Sequence, residues 1–189
     1  YFTITLCNFF LEQTTDDDPE TAMQRAEVRY IRAYNYYYIM DLYGNAAFMT
    51  TVSSELAPRY ERKQFFEFVE SELLEIEPLL ANPGQNTYGR ADKAAAWMLL
   101  FRLYLNAEVY TGTAQWQNAL TYAEKVINNG YYKLNTTGAT NPSTGEKYSA
   151  YQMLFLADNN ETSAKYEAIL PVLNDGVTTS SYGGMNFLI

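Results

Sequence analysis

Five segments of this chain place apolar residues at three- and four-residue spacings and then break near proline or glycine, a pattern that only packed helices satisfy. The first covers Tyr1–Gln13, with Ile4, Leu6, Cys7, Phe10 and Leu11 on a broad face. TTDDDPE follows, with Asp18 placed as an N-cap and Pro19 at the first helical position. The second helix is expected to run to Tyr43 and leave at Gly44. Glu61–Leu80 is the third, carrying Phe65, Phe66, Val69, Leu73 and Ile76. The fourth runs from Arg90 or Ala91 to Tyr110, and the fifth, Ala114–Asn129, stops at Gly130.

Between and after these lie less regular stretches. Asn45–Arg59 reads as a loop, as does Asn135–Lys147, rich in Thr, Asn, Gly and Ser. A short helix is expected around Tyr148–Leu156, and YEAILPVL reads as a strand or extended segment. DGVTTSSYGG then forms a glycine-rich loop. Helix pairs recurring at roughly 30–45 residues predict an all-α fold of tetratricopeptide-like stacked pairs. A short extended segment and loops would stand at its C-terminal end. Residues 1–189 read as one such segment, cut from a longer protein.

The second helix holds the densest aromatic run, RAEVRYIRAYNYYYIMDLYGN. On a helical wheel Val28, Ile31, Tyr38, Ile39 and Leu42 form one stripe and Tyr30, Tyr34 and Tyr37 its neighbour. Arg25, Arg29, Arg32 and Tyr36 fall on the remaining face. A helix apolar over so wide an arc belongs inside a stack, so these tyrosines are expected to be scaffold.

Composition excludes several functions. The net charge of −9 offers no basic patch for nucleic acid. With no histidine and only Cys7, neither a Ser–His–Asp nor a Cys–His site can be built within these residues. Glu67, Glu70, Glu75 and Glu77 read as a solvated helix face. The oxygen-rich runs at 16–18 and 158–161 lack the spacing of a calcium loop and suit caps and turns, so no metal or cofactor is expected. An enzyme is not expected either.

The segments AEVRYIRAYNYYYIMDLYGN and GRADKAAAWMLLFRLYLNAEVYTG resemble the SusD/RagB family, glycan-binding lipoproteins of the Bacteroidetes outer membrane. WQNALTYAEKVINNGYYKL, LFLADNNET and ILPVLNDGVTTSSYGGMNF continue the resemblance in order, closest to the family's starch-binding member. Ala47 stands where the family commonly carries proline. The resemblance implies a helical fold with tetratricopeptide-like units. It also implies capture of starch or malto-oligosaccharide at the cell surface and transfer to a SusC-like TonB-dependent transporter, with no bond broken.

A pyranose is recognised by an aromatic ring against its C–H face and by polar groups around its hydroxyls, which favours aromatic residues on loops. Tyr182, between Ser181 and Gly183, takes the position of a glycan-touching tyrosine in that resemblance. Trp97 and Trp116 are expected to pack instead. The alternative is a repeat scaffold that binds protein through grooves between its helices.

Overall fold

The structure, a computed structural model, describes residues 1–173; the DGVTTSSYGG loop with Tyr182 lies outside them. Six α-helices follow in order: α1 Phe2–Gln13, α2 Pro19–Tyr43, α3 Arg62–Ile76, α4 Lys93–Leu105, α5 Ala107–Thr111 and α6 Trp116–Ile127. Helices close in the chain pack on one another, α1 on α2, α2 on α3 and, across the short α5, α4 on α6, so the helices stack in pairs. Among the described residues no helix is long and apolar enough to cross a membrane.

Local signals set the helix ends. The Asp18 carboxylate accepts from the backbone N–H groups of Glu20 and Thr21 at 3.0 Å each, and Pro19 occupies the first turn. Gly44, at φ 76°, ends α2. Glu61 and Gln64 form a reciprocal capping box at the start of α3. The expected fourth helix is interrupted: Asn106 leaves helical geometry (φ −102°, ψ 11°) and separates α4 from α5. Its start is set by Asp92, whose carboxylate caps Ala94 and Ala95.

The irregular stretches are tied by two-residue antiparallel pairs. β1 (Ala46–Ala47) pairs with β2 (Arg59–Tyr60) inside the loop expected over 45–59. β3 (Ala139–Thr140) pairs with β4 (Lys147–Tyr148) inside the loop expected over 135–147. The short helix expected around Tyr148–Leu156 is a single 3₁₀ turn, Gln152–Phe155. YEAILPVL is no ladder strand. Its first two residues finish the 3₁₀ turn Ser163–Glu167, and the chain extends from Ala168 without sheet pairing.

The buried face of α2 keeps Tyr30 and Tyr37 of the expected arc but not its Ile31, Tyr38 and Leu42 stripe. Ala26, Tyr30, Ala33, Tyr36, Tyr37 and Met40 are buried, whereas Ile31, Tyr38 and Leu42 are exposed. The inward arc is centred on Ala26, Ala33 and Met40, whose small or flexible side chains let α3 approach closely. Arg32 and Tyr36, assigned to the outer face, turn inward because each finds a polar partner there. Arg32 donates to Glu72 of α3 at 2.8 Å and to Asn8 of α1 at 3.0 Å. The Tyr36 hydroxyl donates to the Met49 carbonyl at 2.7 Å and accepts its N–H at 2.9 Å. Its ring joins Phe48, Phe65 and Phe68 in one aromatic cluster, with Phe48 stacked on Tyr60 at 4.0 Å.

The acidic helix also differs from a simple wet face. Glu67 and Glu75 are exposed, but Glu72 is buried between Arg29 and Arg32. Glu77 is half-buried, accepting from the Trp97 indole and from Lys125 at 2.7 Å each. Trp97 is therefore half-buried with a polar anchor rather than a plain core residue.

Candidate functional site

Two sequence segments far apart in the chain meet at one place. Glu27 of α2, only 7% exposed, reaches the loop before α4. One of its oxygens accepts from Asn86 at 2.6 Å, and the other accepts Arg90 Nε and Nη2 at 2.9 and 2.7 Å. Such a fork fixes direction as well as distance. The Ala26–Glu27 and Gly89–Arg90 pairs of the two helical motifs are thus joined by an ion pair.

Asp92 organises the other side. Its Oδ1 caps α4, while its Oδ2 accepts from the Gly84 N–H at 3.0 Å and from the Tyr132 hydroxyl at 2.7 Å. Asn129 sets the turn that presents Tyr132, its side-chain oxygen accepting the N–H groups of Tyr131 and Tyr132 at 2.8 and 2.7 Å. A single carboxylate therefore holds the 82–92 loop, the start of α4 and the turn after α6 in register.

These straps leave a cleft of about 260 Å³, lined among others by Thr87, Tyr88, Tyr131, Glu161, Lys165 and Pro171. Tyr131 stands edge-on to Tyr132 at 5.0 Å and to Tyr166 at 5.2 Å. Lys133 and Lys165 each lie 5.4 Å from the Tyr166 ring. Tyr88 and Tyr131 line the cleft, and their hydroxyls have no hydrogen-bond partner among the described residues. Burial, and then donation to the Asp92 carboxylate, push the Tyr132 hydroxyl above its ordinary value. Burial beside Tyr131 does the same for Tyr88. Both phenols are neutral near pH 7, and Tyr132 donates its proton in a hydrogen bond to Asp92.

Such a wall can hold a neutral polyol. Acid–base chemistry is another matter, because the four acceptor positions of Asp92 are already filled and Glu161 is exposed beside Asn160.

Gly84 makes the cleft possible. It sits at φ 72°, and a Cβ there would come within 2.4 Å of Tyr131 ring atoms. Gly84→Ala is expected to cost about 2–3 kcal/mol, combining left-handed strain with overpacking. Gly130→Ala, at φ 81° in open space, should cost only about 1 kcal/mol. Thermal unfolding by circular dichroism separates them; equal losses would show that the Tyr131 ring yields freely.

Of the residues singled out from sequence, Tyr182 lies outside the described residues. Trp97 and Trp116 are not part of the lining, and Trp116 is 55% exposed at the start of α6. Asp16 pairs with Arg25 at 2.6 Å and Asp18 caps α2, while 158–161 forms a 3₁₀ turn. The cleft tyrosines were not anticipated. Their signal was present in NTYGR and NNGYYK, where tyrosine stands in loops among glycine and asparagine.

No protein-family model matches the sequence. Over 190 aligned residues the chain is 44% identical to the starch-binding protein SusD of Bacteroides thetaiotaomicron. A SusD-like protein of Bacteroides fragilis superposes on 89% of the chain with a TM-score of 0.68 at 22% identity. The chain is similar in sequence to SusD along its whole length. The SusD alignment takes in 100% of this chain and 32% of that protein, so the chain spans about a third of the curated relative. A SusD superfamily protein from Parabacteroides distasonis, 27% identical, matches with a TM-score of 0.63 over 70% of this chain and 31% of its own. A structure described as containing a xylogluco-oligosaccharide superposes with a TM-score of 0.71 at 23% identity, over 89% of this chain and 32% of that one. These solved structures share the stacked helical fold of this chain.

Proposed function

We propose that the native protein containing this chain binds glycan at the cell surface without breaking it. The observation that carries the reading is the 44% identity, sustained over the whole chain, to a protein named for binding starch. The tyrosine cleft supports it, since its free phenol groups and adjoining rings suit a sugar's hydroxyls and C–H faces. Within that reading, starch or malto-oligosaccharide is the ligand, a SusC-like TonB-dependent transporter of the outer membrane receives it, and the protein is held as a surface lipoprotein. Tyr182 contributes a stacking ring to glycan binding.

Affinity electrophoresis of the native protein in gels containing amylose or xyloglucan tests this. Retardation by amylose is expected, and Tyr182→Ala or Tyr131→Ala should weaken it roughly tenfold, as loss of one stacked ring does. Retardation by xyloglucan alone would reassign the ligand, and retardation by neither would end the glycan reading.

One feature favours a protein-binding role as well: Trp116, Leu120 and Ile127 are exposed along α6. A Trp116→Ala variant that keeps glycan affinity but loses capture of the transporter would assign that stripe to protein contact.

A further inference from the structure

Outside the cleft, two more aromatic rings stand clear of the helix stack. Tyr151 and Phe155 are 70% and 65% exposed, with centroids 5.1 Å apart and planes at 65°. Together they form an open corner. Large exposed rings on a loop lose apolar burial, so either the turn is loose or the corner is used.

The turn is tightly built. Ser149 and Gln152 cap each other, the Ser149 N–H donating to the Gln152 side chain at 2.8 Å and the Gln152 N–H to the Ser149 hydroxyl at 3.3 Å. Met153, between the two rings in sequence, is buried and anchors the turn from below. Asn135 donates to the Ala150 carbonyl at 2.8 Å, and Asn159 donates to the Leu154 carbonyl at 2.7 Å. Both flanks are thereby pinned by asparagine side chains. Such mounting keeps the rings presented and leaves little conformational entropy to lose on contact.

Size and surroundings decide what the corner meets. A stable protein interface needs about 800 Å² on each partner, far beyond two rings. The neighbours Ser149, Gln152, Asn159 and Asn160 are polar and uncharged, and Asp158 is the one charged residue between positions 149 and 160. Two rings in an amide and hydroxyl field match a hexopyranose, apolar on its C–H face and hydroxylated at its rim. The corner also adjoins the cleft. Asn159, which fixes the turn, opens the 3₁₀ turn Asn159–Glu161, and Asn160 and Glu161 of that turn line the cleft.

We infer that Tyr151 and Phe155 are a second glycosyl contact, reached by a glucan long enough to extend past the cleft. The inference rests on the glycan-binding reading above. Two contacts on one polymer multiply through effective concentration, whereas a short oligosaccharide gains nothing from the second.

The test uses the native protein and its Tyr151→Ala/Phe155→Ala double variant. Titration calorimetry measures a short oligosaccharide and the matching polymer, maltotriose with amylose first and a xyloglucan pair second. The double variant should lose at least about tenfold on the polymer and stay within about twofold on the oligosaccharide. An unchanged far-UV spectrum and melting temperature confirm that the turn survives, and Tyr151→Phe should restore nearly all polymer affinity to a Phe155-containing protein. If the native protein binds and the double variant binds the polymer equally well, the second contact is overturned while the glycan reading stands. If the native protein binds neither class, both fall.

Discussion

Glu72→Ala is expected to destabilise the fold by about 3–5 kcal/mol, read as a drop in the urea midpoint with unchanged slope. Glu72 accepts from Arg29 at 2.7 and 3.2 Å and from Arg32 at 2.8 Å, and it is the carboxylate between α2 and α3. Its side chain is 10% exposed and that of Arg32 is 8% exposed. Truncation leaves the Arg32 guanidinium buried with only the Asn8 amide and the Thr50 carbonyl as partners. Glu75 makes a comparable contact to Arg29 from a 64% exposed position, so Glu75→Ala should cost no more than about 1 kcal/mol. Similar losses in the two variants would refute the buried-network account.

The same residue predicts an acid response. Burial alone would raise the Glu72 carboxyl, but the hydrogen bonds and charges of Arg29 and Arg32 outweigh it and hold the group below its ordinary value. A carboxylate with a depressed folded pKa stabilises above its unfolded value and loses that contribution as pH falls through the folded value. Wild-type stability should therefore fall more steeply on acidification than that of Glu72→Ala. A smaller slope remains in the variant because Lys125 and the Trp97 indole likewise depress Glu77 against its burial.

The second large effect is expected at Asp92. Asp92→Ala removes the cap of α4 and strips the Gly84 N–H and the Tyr132 hydroxyl of their acceptor, for a combined loss of about 3–5 kcal/mol. Unlike Glu72→Ala, it should also release the 82–92 loop from the turn carrying Tyr131 and Tyr132, and glycan affinity should fall with stability. Measuring affinity well below the melting temperature separates the two effects. An Asp92→Ala protein with wild-type affinity would mean the cleft does not depend on this strap.

How far these sites could be read in advance varies from one residue to the next. Asp18, Pro19 and Gly44 announced the limits of α2, because a cap or a breaker acts on backbone groups within one turn. Cys7 was expected inside and is 5% exposed. The inner face of α2 was misread because hydrophobicity was taken as the guide. Ile31 and Leu42 stayed outside, while Arg32 and Tyr36 went in on the strength of partners 40 and 13 residues away. Glu72 is one of four acids in α3, and nothing local distinguishes it from the three others. The break at Asn106 carried no proline or glycine to mark it.

The limits of α2 and the choice of helix for the long periodic segments, though not the break at Asn106, were already settled in the primary structure, since they follow from interactions a few residues long. Which face of each helix turned inward, and which tyrosines met at the cleft, was decided only when α2, α3 and the loops came together. A buried charge or phenol is tolerable only beside its partner, and Glu27 finds Arg90 across 63 residues of chain. No short window of sequence contains both halves of such a pair.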